Sequence, residues 1–381
     1  MLGGGPCAFI GNVHRLAISQ SQQARLVAGV FSQSQEKSLE IATQYGLNTQ
    51  RIYPSYQALF DKESTYTGPE PLDFVVVVTP NHMHYEMVKA GLEKGFHMVC
   101  DKPLCTDSKE AETLYKLSKE QNCILALTYN YTGYPMVKEA QQIIQSGAIG
   151  SIRRITVEYL QGWLSEAIEK TGARQAAWRT QASLAGKSCC VGDIGTHAEN
   201  MIHYLTGLDY EKLSANLNTF VKGRQLEDDA HILLEYPGGI QASILASQIL
   251  EGEENNFSVR IYGSEGHIKW YQEKPYELTV YKKGQPQQVY KAGNAYLNAN
   301  TTQHHVLPPG HPEGFVEAFA NIYKAIIQKI QNPASIQKAD FPSSIDGLRG
   351  VHFVEDVLKS HQSKSWVQSS FTNDIHKGGY S

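Results

Sequence analysis

Asp101-Lys102-Pro103 closes the apolar run His97-Met98-Val99-Cys100. Held at the end of a buried strand, the Lys102 ammonium can hydrogen-bond a substrate hydroxyl and carry positive charge beside a cofactor. A second pair, Asp193 and His197, lies in Gly192-Asp193-Ile194-Gly195-Thr196-His197. Four positions apart is the spacing that brings two side chains to one helix face. A carboxylate beside an imidazole can fix the ring's orientation, raise its basicity and poise it as a general acid or base near neutral pH. Taken singly, these patterns also suit a surface loop and an ordinary helix start. The elements that carry them decide between the two.

Phe74-Val75-Val76-Val77-Val78 runs into Thr79-Pro80-Asn81 as His97–Cys100 runs into Asp101-Lys102-Pro103. With a helical segment from His84 to Lys94 between them, the two strands make a βαβ unit and a parallel sheet. In open parallel sheets ligands sit outside the carboxyl ends of the strands, where both turns fall. Upstream, Gly3-Gly4-Gly5-Pro6-Cys7-Ala8 fits G-x-G-x-x-A, a variant of the dinucleotide fingerprint. Gly3 and Gly5 would let the backbone turn and approach a pyrophosphate, and Ala8 opens the helix marked by Ile10, Val13, Leu16 and Ala17. Only Met1 and Leu2 precede the glycines, so the first strand of the sheet is expected to be cut short, with weak cofactor affinity or poor solubility to follow. Arg25 to Phe31 is the second strand, ending at Ser32. NAD-specific folds commonly carry an Asp or Glu here for the ribose 2′-hydroxyl. This chain has Ser32-Gln33-Ser34, with Lys37 one turn on, and either Ser32 or Lys37 can meet a 2′-phosphate, so NAD and NADP both stay open. Helices over 35–45, 55–62 and 107–121, with strands over 52–53 and 123–128, complete a Rossmann-type domain over residues 1–128.

From residue 129 the grammar changes. A helix over 135–146 leads into long alternating strands over 152–160, 230–236, 240–248, 257–262 and 278–281, joined by turns such as Pro237-Gly238-Gly239. Such alternation predicts an α+β domain over 129–381 with a mainly antiparallel open sheet, followed by helices over 313–330 and 345–360 and a tail frayed from Thr372. Few helices remain to cover both sheet faces, so one face must be polar or meet another subunit.

The chain has 381 residues, 41% of them hydrophobic and 19% charged, with a net charge of −4. That is the composition of an ordinary globular protein of two domains, and it gives no reason to expect nucleic acid or an anionic membrane as partner. No apolar run is long enough to span a bilayer and the N-terminus has no signal-peptide pattern, so a cytoplasmic enzyme is expected. The six cysteines have neither disulfide-framework nor zinc spacing. His82 with His84, and His304-His305, lack further ligands nearby, so no metal is expected.

The glycine turn, Thr79-Pro80-Asn81 with His84, Asp101-Lys102-Pro103 and Asp193-x-x-x-His197, in this order, resemble the motifs of the Gfo/Idh/MocA oxidoreductases. Asp101 stands where that family carries Glu. The resemblance covers nearly the whole chain and implies hydride transfer between NAD or NADP and a sugar, cyclitol or glycoside. On that footing Gly3, Gly5, Ala8, Ser32, Lys37, Thr79, Pro80, Asn81, His84, Asp101 and Lys102 would hold the cofactor. His197 would take the hydroxyl proton, Lys102 would hydrogen-bond the same oxygen, and Asp193 would orient substrate or histidine. The family's second domain supplies the substrate pocket, which implies roles there for Trp178 and Arg179, with Trp163 and Tyr131 beside them, since Trp and Arg suit sugar rings. Relatives commonly pair through the second sheet, which implies a homodimer or homotetramer. Two other activities use the same residues or fold: a redox-assisted glycosidase or lyase that keeps NAD bound, and a non-catalytic sensor of dinucleotide or sugar.

Overall fold

The computed structural model describes residues 1–5, 8–335 and 339–371. Pro6 and Cys7 of the fingerprint, and the tail from Thr372, lie outside the described residues. The chain divides into two compact units, Met1–Asn130 with Phe315–Leu348, and Tyr131–Gly314 with Arg349–Ser381.

The first unit is a parallel α/β sheet. Its strands β1 (Leu2–Gly3), β2 (Phe74–Val78), β3 (His97–Cys100) and β4 (Leu125–Leu127) are hydrogen-bonded in that order. Each pair is parallel, and β2 and β3 are buried except at their first residues, as strands covered on both faces must be. The strands expected over 25–31 and 52–53 are present only as single bridges, Leu2 with Val30 and Gly29 with Ile52. For the first of them the reason is the length of β1. Met1 to Gly3 can satisfy only the backbone around Val30, whose N–H donates to Met1 O (2.9 Å) and whose carbonyl accepts from Gly3 (2.8 Å).

Helix Phe315–Gln331 belongs to this unit, although a division of the sequence at 128/129 assigns it to the second domain. Its residues Phe319, Ile322, Tyr323 and Ile326 have helical spacing and join Val13, Ala17, Val76, Val78 and Val99 in one core. His14 Nδ1 lies 2.6 Å from the Tyr323 hydroxyl in that core. Beyond the helix, Leu127 N donates to Pro342 O (2.8 Å), and Ser343 pairs antiparallel with Ala126.

The second unit is α+β. After helix Pro135–Gln145 come β5 (Ile152–Leu160), β6 (Lys212–Asn218), β7 (Asp229–Tyr236), β8 (Ile240–Ser247), β9 (Asn256–Gly263), β10 (Gly266–Tyr271), β11 (Glu277–Lys282), β12 (Gln288–Lys291) and β13 (Val367–Gln368). They form a nine-stranded sheet in the order β12-β11-β10-β9-β5-β8-β7-β6-β13. Every pairing is antiparallel except β5 with β8. The register aligns Leu278, Trp270, Val259, Val157, Ile244 and Ile232 in one buried row. The neighbouring row on the opposite face reads Thr279, Lys269, Arg260, Thr156, Ser243 and Leu233, polar except for a half-exposed leucine. Alternation of side chains along each strand thus separates a core face from an open one.

Candidate active site

In the first unit, the β1 turn passes through Gly3 and Gly5 to Ala8, which precedes helix Phe9–Ser21. Gly5 and Gly11 leave no room for side chains. A Cβ on Gly5 would lie 2.6 Å from Phe31 O, and one on Gly11 would lie 2.3 Å from Gly4 Cα. Gly11, which sequence reasoning passed over, lets the helix pack directly on the turn, and a lone glycine inside an apolar helical pattern was the available signal. Ala8 puts no side-chain cap on the helix, and the first turn holds no acidic residue. A bare, positively polarised helix start behind a glycine turn fits a dinucleotide pyrophosphate.

Ser32 and Lys37 stand at the end of the Val30 segment. Ser32 Oγ accepts from Ser34 N (3.2 Å), and its own N–H donates to Ser38 Oγ (2.9 Å), so this loop is tied by serines. Lys37 is exposed in the first turn of helix Gln35–Gln44.

Thr79 and Pro80 follow β2 half-buried, with Asn81 buried. His84 stands behind this turn. It is 1% exposed, with Nε2 2.8 Å from Thr79 O and Nδ1 2.8 Å from Pro103 O. It therefore joins the turn after β2 to the turn after β3. Burial lowers its pKa, with the two carbonyls pulling the other way. Asp101 N donates to Val77 O (2.9 Å), and Asp101 Oδ1 accepts from Lys102 N (3.0 Å) and Thr128 Oγ1 (2.7 Å). These bonds fix the backbone from which the half-buried Lys102 side chain leaves, ahead of a cis peptide to Pro103. Thr128 was not among the expected site residues, because nothing local in the sequence links it to Asp101.

In the second unit, Val191–Gly195 forms one π-helical turn that continues as helix Thr196–Thr206. Asp193 is on that turn and His197 just past it. A wider turn displaces the i, i+4 alignment expected of a regular helix. The Asp193 carboxylate oxygen Oδ2 accepts from Arg179 Nε (3.1 Å) and Gln248 Nε2 (2.9 Å). The Arg179 guanidinium carbon lies 4.2 Å from the Trp178 ring centre and 5.8 Å from that of Trp163. Both indoles also rest on an apolar cluster of Leu164, Ala176, Ala185, Cys189 and Leu226. His197 is 7% exposed, with the Tyr131 ring 4.8 Å away edge to face. Tyr131 itself is buried, its hydroxyl 2.5 Å from that of Tyr159.

The turn is held from below by Glu227. One carboxylate oxygen accepts from Cys189 N (3.1 Å), Val191 N (3.0 Å) and the Ser188 hydroxyl. Burial raises the Glu227 pKa against these donors. Gln248 and Glu227 went unnoticed in the sequence, since they meet the turn only through long-range folding. Among the described residues no cluster of three or more His, Cys, Asp or Glu side chains could hold a metal ion. No helix among them is long and apolar enough to cross a membrane.

Comparison with known proteins gives matches over both units. Residues 1–129 match the "Oxidoreductase family, NAD-binding Rossmann fold", and residues 137–269 match the "GFO/IDH/MocA C-terminal domain". The oxidoreductase YfiI of Bacillus subtilis is 32% identical over 97% of this chain and 95% of its own length. An inositol dehydrogenase homologue from Azotobacter vinelandii, solved with NADH and myo-inositol, superposes with TM-score 0.90 at 33% identity, covering 97% of this chain and 96% of the other. Levoglucosan dehydrogenase of Pseudarthrobacter phenanthrenivorans is 28% identical over 74% of this chain and 75% of its own.

Proposed function

The chain belongs to the Gfo/Idh/MocA family of NAD(P)-dependent oxidoreductases, and from that premise we propose a dehydrogenase that oxidises a hydroxyl-bearing carbon of a sugar, cyclitol or glycoside. The observation that carries this reading is the second unit's site. A carboxylate held by Arg179 and Gln248 lies on a short turn four residues before a buried histidine, in a unit where two half-buried indoles flank the same guanidinium. Relatives named for myo-inositol and levoglucosan support the substrate class.

Gly3, Gly5 and Ala8 would hold the pyrophosphate, with Ser32 and Lys37 at the adenosine ribose and Thr79, Pro80, Asn81 and Asp101 beside the nicotinamide. When bound, the nicotinamide supplies the hydride acceptor. His197 takes the proton from the substrate hydroxyl, and Lys102 hydrogen-bonds that oxygen and stabilises its developing negative charge. Asp193 accepts a neighbouring substrate hydroxyl and keeps its own position through Arg179 and Gln248. Tyr131, Trp163, Trp178 and Arg179 shape the substrate pocket, the indoles by stacking on the sugar.

The test is a panel of sugars, cyclitols and glycosides incubated with NAD or NADP and followed by nicotinamide absorbance. Steady reduction on one of them supports the dehydrogenase. Turnover of a glycoside with no net reduction replaces it with a redox-assisted lyase, and binding without turnover replaces it with a sensor. The second unit's open sheet face completes the proposal: this face pairs two chains into a homodimer, or four into a homotetramer, and a monomer by light scattering at micromolar concentration overturns that.

A further inference from the structure

The second unit contains a run of side-chain hydrogen bonds whose direction is set by its ends. The indole N–H of Trp163 can only donate, and it points at Gln161 Oε1 (3.0 Å). Gln161 must therefore turn its amide nitrogen to the other side, where Nε2 donates to Asn255 Oδ1 (2.8 Å). That choice in turn leaves Asn255 Nδ2 to donate to the Tyr131 hydroxyl (3.2 Å). The opposite end agrees. The carboxylate of Asp193 accepts from Gln248 Nε2, and the same nitrogen reaches Gln161 Oε1 at 3.4 Å.

Asn255 Oδ1 also accepts from the Tyr159 hydroxyl (2.9 Å). With its own proton placed there, the Tyr159 oxygen accepts a hydrogen bond from the Tyr131 hydroxyl across their 2.5 Å contact. Three groups then close a ring in one direction: Tyr131 to Tyr159, Tyr159 to Asn255, and Asn255 back to Tyr131. Each member both donates and accepts, so the bonds polarise one another. Burial pushes the Tyr131 phenol up to about 12 and raises the Tyr159 phenol well above its ordinary value, so both keep the protons the ring needs.

We infer that Asn255 is a positioning residue for the reaction: it closes a one-way hydrogen-bond ring with Tyr131 and Tyr159 that fixes the aromatic wall against which His197 stands. The wall is continuous. The Tyr131 ring meets the imidazole edge to face, with centres 4.8 Å apart and an interplanar angle of 76°, and meets Phe257 at 4.6 Å. The Tyr159 ring stands 6.1 Å from the imidazole and 4.9 Å from Phe257. Opening the ring removes a bond that holds the Tyr131 hydroxyl in place, and His197 shifts with its packing partner. A displacement of about 1 Å in a catalytic group costs about a hundredfold in rate. This inference rests on the reading of His197 as the proton acceptor.

Asn255→Asp keeps the size but exchanges the Nδ2 donor for an acceptor, so Tyr131 loses the bond that closes the ring. Tyr159→Phe opens the ring elsewhere by removing one hydroxyl, and it stands in if Asn255→Asp fails to fold. Both are made in the full chain labelled with 15N-histidine, and the His197 ring signal is identified by its loss in His197→Asn. The expected result is a displaced His197 ring signal in either variant. Turnover on the best substrate from the panel falls about ten- to a hundredfold, with the dissociation constant for NAD(P) unchanged. In a His197→Asn background the same changes lower the residual turnover by less than about threefold, because their effect passes through the imidazole. An unmoved ring signal in both variants overturns the inference, as does an equal loss of turnover in both backgrounds. If His197→Asn alone keeps near-normal turnover while the ring signal still moves, the proton-acceptor reading has failed, and the positioning role falls with it.

Discussion

Arg179 is the side chain whose chemistry at the second site is hardest to replace. Its Nε donates to Asp193, its Nη1 to Gln175 Oε1 (2.6 Å), and its flat guanidinium lies over Trp178. Lysine has one compact charge and no plane to stack, so Arg179→Lys keeps the charge and loses the geometry. A hydrogen bond to a charged group contributes about 1.5–3 kcal/mol, so kcat/KM of Arg179→Lys should fall about ten- to a hundredfold, mostly through KM. His197→Asn should instead lower kcat by about 10²–10⁴, the range of general acid–base catalysis, with NAD(P) binding little changed. Lys102→Met should lower kcat in the same way. Steady-state kinetics with a binding titration separates the two patterns. Arg179→Lys with a normal KM would show that Asp193 does not need its clamp.

At the scale of elements, both sites depend on turns that leave no slack. A Cβ on Gly5 would press on the Phe31 carbonyl, and overpacking of this kind costs about 1–3 kcal/mol. Gly5→Ala should therefore lower both the melting temperature and the affinity for dinucleotide, measured by calorimetry and fluorescence titration. If affinity survives, the glycine turn is not the pyrophosphate seat. Glu227→Ala leaves the N–H groups of Cys189 and Val191 and the Ser188 hydroxyl without their shared acceptor, at about 1–3 kcal/mol for each buried group that stays unsatisfied. Glu227→Gln keeps an acceptor oxygen and should cost less, and equal losses would mean that its charge, not its hydrogen bonds, supports the turn.

These two turns also show what a sequence discloses. Strands β2, β3 and β5, and the helices over 84–94, 107–121 and 135–146, follow from local period, caps and turn residues, so the observed bounds differ little from the expected ones. Lys102, Asp193 and His197 could be singled out as candidates because each sits in a short motif with a chemical reason for its neighbours. Gln248, Glu227, Asn255 and Thr128 were not, since their partners are far away in the chain and any polar residue at a strand end looks alike. β6 was missed because Lys212-Leu213-Ser214-Ala215-Asn216-Leu217-Asn218 has little β-branched or aromatic character, and pairing with β7 overrides that. The π-helical turn carries no period that distinguishes it from an α-helix.

For the molecule as a whole, one contribution to acid stability comes from a buried base. Burial lowers the His14 pKa to about 4, while an unfolded histidine titrates near 6.5. Between those values the unfolded chain takes up a proton that the folded chain refuses. Stability is therefore undiminished above about pH 6.5 and falls as pH drops toward 4, by on the order of 3 kcal/mol from this group. His14→Gln loses the contact with Tyr323 and should melt lower at pH 8, yet show a flatter dependence between pH 7 and 5. Parallel melting curves for the two proteins would rule His14 out as the source.

β5 and β8 run side by side in the same direction, so the chain that leaves Leu160 must cross to the opposite end of the sheet, where β5 began, before Ile240. Trp163, Trp178, Arg179, Asp193 and His197 all lie on that detour. Its early leg, residues 165–188, contains only short helical pieces and no strand of the sheet. Apart from Arg179, which holds Asp193, and Ser188, which donates to Glu227, mutation can rewrite that leg without unpicking a single ladder, while the Asp193 turn stays anchored farther along by Glu227 and Gln248. If the proposed substrate pocket lies there, its preference can change by editing a short passage while the sheet and the Asp193 turn are kept.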